Sequence, residues 1–531
     1  MTDLPGNVLN DARAAGIQLT VEGSRLRFRA PGNTLTPELR ARLATYRHQL
    51  VRLLRDEAER EATLAPLAIN QRGLWLVHCV APDTAAYNVV VAARARGALD
   101  TEALREALQI LVDRHESLRT TFLVADGGPQ RRTVGHYRVQ LDVRDVSGSD
   151  EAGVRQQVEA LHAQPFDLAD GPILRTAAFR VQRDDHIILL VAHHIAVDGT
   201  SLFVLLEEML AAYAALVDGR PVPPRTDESS FSEFARWQAD ALTGADAERA
   251  YWSQVLDPPP PPLRLPTDRP RPDLPGLRGD SEGYIFEPHV AEALRGLASA
   301  EGTTEFVLML TLWFVFLHGL TGQNDITVGT PTHGRPAARF ARTVGNLMNM
   351  IPLRVRDIGT QSFRDLLAEV RTVALEGMTH QDYPLPLMVE GQRQRGGRSG
   401  PPFQTMFVRQ VFASFPEIER LLLSRGDHAF AVGGLHLEPY PIDQMEGQFD
   451  LSVDLWPLQN GELFCSWRYD TDLFDAATIR RWSEAFALLT VEAAADPTRL
   501  ISDFTLIQDR EAASATDVEA AEEQDVEVFE I

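Results

Sequence analysis

The 531-residue chain contains no lysine; all 51 of its basic residues are arginines. That absence excludes a P-loop lysine, a Schiff-base lysine and the lysine that adenylate-forming enzymes set against an acyl phosphate. No Gly-x-Gly-x-x-Gly follows a strand pattern, so a dinucleotide site is unsupported. Cysteine is almost absent. Cys79 and Cys465 stand far apart, which reads as two buried thiols in a reducing cytoplasm, and no cysteine pair has zinc-ligand spacing. There is no charged-then-apolar leader, and no apolar run is long enough to span a bilayer. The most apolar stretch, Phe306 to Leu320, reads as a buried helix. Cations are scarce beside anions, 51 against 75, and a net charge of −24 disfavours nonspecific nucleic-acid binding. Such a chain activates nothing with ATP and must receive a substrate already activated.

What is present is a long soluble-type composition, 44% hydrophobic, enough for about three domains. Residues 1–60 read as a separate small unit. Val8 to Ala15 suits a short helix. Ile17 to Val21 and Arg25 to Arg29 alternate apolar and polar around Glu22-Gly23-Ser24, a β-hairpin pattern. Thr36-Pro37 starts a helix with Leu39, Leu43, Tyr46, Leu50, Leu53 and Leu54 on one face. Arg55 to Glu61 breaks that pattern as a linker or helix end would. The main body, about Leu64 to Ile507, mixes strands and helices. Pro-rich Leu256 to Pro275 reads as a stiff connector, and the helix Thr304 to Leu320 leads into a strand at Ile326 to Gly329. Residues 511–531 are acidic and predict disorder. Their tip, Asp525 to Ile531, alternates acid and apolar residues, which fits a partner-binding segment or a solvated tail equally.

The most telling stretch is His193-His194-Ile195-Ala196-Val197-Asp198-Gly199, delivered by the apolar strand Ile187 to Ala192. Histidine moves protons near neutral pH. An adjacent Asp can fix a ring or pair with a cation and hold the bend, and a Gly permits close backbone approach.

Other segments join it in order. Asn70 to Trp75, Arg114 to Phe122, the heptad itself, Phe231 to Trp237, Tyr251-Trp252 with Leu265 to Pro270, Val328 to Arg335, and His380 to Pro384 together resemble the motifs of nonribosomal peptide synthetase condensation domains. The resemblance covers essentially all of 64–507. It implies an α/β (α+β) fold of two chloramphenicol-acetyltransferase-like lobes, a pseudo-dimer with a central tunnel. The implied ranges are 64–245 for the first lobe and 246–510 for the second, followed by the acidic tail 511–531. Residues 1–60 resemble the β-hairpin (TubC-like) docking domains, a small unit of ααββα type. If Leu19, Val21, Leu26 and Phe28 face inward, Arg25, Arg27 and Arg29 face outward, a row suited to adding an acidic extended peptide as a further strand. The resemblance makes that partner the acidic C-terminal tail of an upstream carrier-bearing subunit, for which the chain's own tail at 518–531 has the charge to compete.

The implied reaction moves an acyl chain from a carrier's phosphopantetheine thioester to an amine or hydroxyl acceptor, with no bound cofactor or metal. His194 would stand nearest the acceptor, taking its proton or orienting it. Asp198 would pair with Arg335 across the lobes, His193 would pack inward, Gly199 would let the backbone approach the reacting carbonyl, and Arg119 and Trp75 would be scaffold. The stretch Val344 to Arg354, with Met350 where the family has Thr, and the faint match at Arg398 to Pro401 depart from the pattern on the acceptor side. With no carrier-serine motif evident, the reading is a free-standing cytoplasmic enzyme acting in trans, able to release product onto a soluble acceptor. The alternatives are a coenzyme A-dependent acyltransferase and a non-catalytic recruitment module. Thr200-Ser201-Leu202-Phe203 after the heptad argues against an epimerisation domain, and an intact heptad argues against a heterocyclisation domain.

Overall fold

The computed structural model describes residues 4–31, 34–125, 127–225, 229–272, 276–396, 400–410, 430–442, 447–458 and 460–504, together with Phe415 and Ile418. The acidic tail 511–531 lies outside the described residues, as do Arg398 and Ser399. The chain divides into two compact units. The first comprises 1–243, 335–347 and 412–442, and the second comprises the rest. The 64–245 and 246–510 ranges treat each lobe as one continuous stretch. Instead two segments from the later half of the sequence pack in the first unit.

At the N-terminus, α1 (Pro5–Ala14) leads into strands β1 (Gln18–Glu22) and β2 (Arg25–Arg29), followed by α2 (Pro37–Thr45) and α3 (Arg47–Arg60). The order is therefore αββαα, not ααββα. Thr36 caps α2 by accepting the Leu39 N–H at 3.2 Å, with Pro37 at the first helical position. The expected single helix breaks at Tyr46, whose φ of −95° and ψ of 12° end one helix and start the next. Val8, Leu9, Ala12, Ile17, Leu39, Leu43, Leu50 and Leu54 form the core beneath the hairpin. No linker follows. The helix α3 runs through Arg60, and a strand begins at Ala62.

The first unit's main sheet is built around the strand Asp185–His193. It pairs antiparallel with Asn88–Arg96 and Leu174–Gln182, and the sheet ends with Leu141–Asp145 on one side and Leu435–Pro439 and Phe430–Val432 on the other. Every residue of Asp185–His193 is buried, because both faces are covered. Ile188, Leu190 and Ala192 pack with the helices Thr101–Arg114 and Gly199–Val217, while Ile187, Leu189 and Val191 pack with Glu151–His162. The helix Gly199–Val217 is long and apolar enough to cross a membrane by length and composition, but Val204, Leu205, Leu206, Met209 and Leu210 are core residues.

The second unit has its own six-stranded sheet, in the order Gly279–Phe286, Leu463–Asp470, Leu451–Pro457, Thr405–Arg409, Ile326–Thr332, Asn349–Val355. The helix Glu305–Thr321 is capped by Thr304 and ended by Gly322 in the left-handed region (φ 66°). Its Trp313 and Phe316 stack at 5.4 Å and meet Trp467 and Phe486 edge-on. The Pro-rich stretch is not a free connector. Leu263 and Leu265 are buried, and the Leu263 and Arg264 amides donate to Gln404 and Gln323 at 2.7 Å. Met350, one of the departures from the family pattern, packs on Phe403, Met406 and Val408.

Candidate active site

The strand Asp185–His193 ends on His193, the chain bends through 194–198, and the helix begins at Gly199. This bend is held from inside. Asp198 caps the helix, its Oδ1 accepting the Ser201 N–H at 2.8 Å and the Ser201 hydroxyl at 2.7 Å. Arg335 closes a two-pronged pair, Nη2 to Oδ1 at 2.9 Å and Nη1 to Oδ2 at 3.0 Å, and the Leu347 N–H reaches Oδ2 at 3.0 Å. Burial works to raise the Asp198 pKa, but the Arg335 charge and the bonds from Arg335 and Ser201 outweigh it and hold the carboxyl below the usual carboxylate range. Arg335 belongs to 335–347, which is part of the first unit. The pair therefore joins distant stretches of one unit and does not span lobes.

The two histidines part company. His193 is buried between Tyr87 and Phe166, and its Nδ1 accepts the Ile195 N–H at 3.1 Å. The ring is therefore neutral with its proton on Nε2. Burial, then the neighbouring His194 and His78, push its pKa down to about 3. His194 is half-buried. Its backbone N–H donates to Tyr87 O at 2.8 Å, and its Nδ1 is enclosed with no hydrogen-bond partner among the described residues. Asp198 is fully engaged elsewhere and does not orient this ring. Gly199 is exposed, and a Cβ built there meets nothing within 4 Å.

Two positioning residues escaped the sequence reading. Buried Gln71 donates from Nε2 to Ile195 O at 2.9 Å and accepts the Ala68 N–H at 3.1 Å, fixing the bend's backbone. The Ser201 hydroxyl oxygen accepts the Gly345 N–H at 3.0 Å, tying the helix start to the 335–347 segment. Gln71 lay inside a quoted motif, and the Asp-x-x-Ser spacing from 198 to 201 is a cap signal, but neither showed its distant partner. Gly345 needs its lack of a side chain, because a Cβ would overlap the Phe231 ring. Arg119 is scaffold, donating to Val112 O and Val134 O. Cys465 is buried and its thiol pKa is pushed up by burial, but Cys79, on the outer face of the helix Ile69–Val80, is exposed. Among the described residues no group of three or more His, Cys, Asp or Glu could hold a metal ion.

The model of the condensation domain matches residues 61–516, over half of the chain. The chain belongs to the condensation-domain family. The TubC N-terminal docking domain matches residues 7–56 ahead of the condensation domain. A linear gramicidin synthase polypeptide of Brevibacillus parabrevis is 34% identical over 457 residues, 84% of this chain and 6% of that protein, so the chain spans a small part of that relative's length. Among solved structures, the condensation domain resembles the four-domain nonribosomal peptide synthetase AB3403, bound to AMP and glycine (TM-score 0.78, 23% identity, 85% of this chain and 35% of that one). It also resembles the SgcC5 protein of Streptomyces globisporus, in complex with (R)-(-)-1-(2-naphthyl)-1,2-ethanediol and sucrose (TM-score 0.67, 27% identity, 82% and 100%).

The hairpin of the docking domain differs in part from expectation. Leu19, Val21 and Leu26 pack on its core, but Phe28 is 46% exposed. Arg27 pairs with Glu22 of the same hairpin, whereas Arg25 and Arg29 have no ion pair among the described residues. The strand β2 pairs only with β1, leaving its outer edge without a strand partner among the described residues.

Proposed function

We propose that this condensation domain transfers a carrier-tethered acyl thioester to an amine or hydroxyl acceptor, acting in trans on a carrier recruited through the docking hairpin. The observation that carries the reading is the pinned bend, which buries His193 and leaves His194 only half-buried. Asp198 and His193 are engaged inside the protein, so of the two adjacent rings the second histidine's is the one left for a nucleophile. Alignment of two reactants supplies most of the acceleration, up to about 7–11 kcal/mol in favourable cases. His194 adds the management of one proton, which matters more for a hydroxyl than for an amine. Release onto a soluble acceptor is the finer reading. Its supports are the altered stretch Val344 to Arg354 and the untethered diol bound by the SgcC5 relative. The docking partner is an acidic extended segment of a carrier-bearing subunit, and the protein works in the cytoplasm.

Intact-protein mass spectrometry of an acyl-loaded carrier, offered amines and alcohols both free and carrier-bound, tests the proposal. Loss of the acyl mass from the carrier with formation of an amide or ester supports it. Full activity of His194→Ala overturns the assigned role. A chain that leaves every loaded carrier unchanged, while binding it, fits a recruitment module instead.

A further inference from the structure

The hairpin that carries Arg25 and Arg29 is gripped at its turn by the condensation domain itself. Gly23, at φ +55°, is buried, and a Cβ there would lie 2.5 Å from Glu106 Oε1 and 2.7 Å from Ile110 Cγ1 on the helix Thr101–Arg114. Its N–H donates to Asp113 Oδ2 at 2.7 Å. Asp113 is itself buried, its Oδ1 held by Gln109 Nε2 and His136 Nδ1 at 3.0 Å. The Ser24 N–H donates to Glu106. Glu22, 13% exposed, pairs with Arg114, which also bonds Glu208 at 3.0 Å on the helix Gly199–Val217. Glu208 accepts from His115 Nε2 at 3.3 Å as well.

The other end of the docking domain is equally tied. A single residue, Glu61, separates α3 from the strand Ala62–Pro66. The Gly135 N–H donates to Ala58 O at 3.0 Å and Glu61 O at 3.1 Å, and a Cβ at Gly135 would lie 2.9 Å from Ala58 O. A hairpin on a flexible tether would need none of these close approaches.

We infer that the docking domain is a fixed receptor, an integral part of the catalytic unit, and not an arm swinging on a linker. The consequence rests on the docking reading above: a partner strand added at the outer edge of β2 arrives along one direction and meets Arg25 and Arg29 already in place. A pre-formed surface spares the partner the ordering of a mobile receptor. The turn, being occupied, is excluded from the partner's footprint.

Two measurements on the full-length chain test this, and neither needs a partner. Hydrogen exchange of the turn reports the Gly23 and Ser24 amides. Exchange is expected to be about tenfold or more slower than in Gly23→Val, with the strand Asp185–His193 equally protected in both proteins as the control for folding. Nitroxides on Thr20→Cys and Glu102→Cys, in a Cys79→Ser background, are expected to give one narrow distance distribution that Gly23→Val broadens. Free exchange at the turn with the control strand protected, or a broad distribution in the Gly23 protein, overturns the inference. Failure of an acidic peptide to bind, with the distribution still narrow, sinks the docking reading and leaves the fixed attachment standing.

Discussion

Two bends in this protein, the 194–198 bend and the Glu22–Ser24 turn, are each held by a carboxylate paired with a buried arginine, and they use that pair differently. Asp198 and Arg335 lie wholly inside one core, their exposed side-chain fractions 2% and 6%, and the carboxylate also takes the Ser201 and Leu347 amides. Glu22 and Arg114 sit where two domains of the chain meet, and Glu22 divides itself between Arg114 and Arg27. The first pair removes a charge from chemistry. With Asp198 spent on the fold, it does not orient His194, which is the less buried of the two histidines. The second pair makes a joint. Burial decides the difference: a deeply buried charge is expensive to leave unpaired, and a partly wet one much less so.

The contrast is sharpest on removal of the arginine from the core. Arg335→Leu strands a buried carboxylate, so urea unfolding should show a loss of about 3–5 kcal/mol together with loss of transfer. His194→Ala should lower transfer to a hydroxyl acceptor by about 10²–10⁴-fold, with unfolding stability changed by no more than about 0.5 kcal/mol. A stability loss matching that of Arg335→Leu would mean that the ring is structural. Glu22→Gln should cost about 1–3 kcal/mol by urea unfolding, as one charge-assisted contact is weakened. A loss as large as that for Arg335→Leu would erase the distinction between core and joint.

His193 gives a smaller, pH-dependent effect. Its pKa is lowered from 6.5 to about 3 by burial. Between those values the unfolded chain binds a proton that the folded chain refuses, so its contribution to stability is complete above pH 6.5 and is lost as pH falls toward 3. The slope is about 1.4 kcal/mol per pH unit. Urea unfolding at pH 7 and pH 5 should show it, and His193→Asn should remove that share of the slope. The smallest effect belongs to the exposed cations. Arg25→Ala or Arg29→Ala should each weaken binding of an acidic peptide by about 0.2–1 kcal/mol, less at high salt, by calorimetry.

Much of the local structure was legible. The apolar run before His193 had to be a strand, Thr36 with Pro37 had to start a helix, and alternation around Gly23 had to be a hairpin, because each pattern is set by the chemistry of neighbouring residues. The split of the later helix into two was missed because Tyr46 keeps the apolar periodicity going while its backbone leaves the helix, and the ααββα order came from the resemblance alone. Gln71 and Ser201 were missed as positioning residues because their partners, Ile195 O and Gly345, are side-chain-independent backbone groups that no motif displays. Phe28 looked inward by alternation, yet it is 46% exposed.

By itself the sequence determined the family, the catalytic candidate His194 and the absence of any lysine-based chemistry, since these depend only on which side chains exist and in what order. The tertiary structure alone decided that Arg335 and the 412–442 segment join the first unit, that Asp113 and Glu106 receive the hairpin turn, and that Arg27 pairs with Glu22 across the hairpin. Most of those facts join groups far apart in the sequence, and only a packed chain brings such groups within reach of one another.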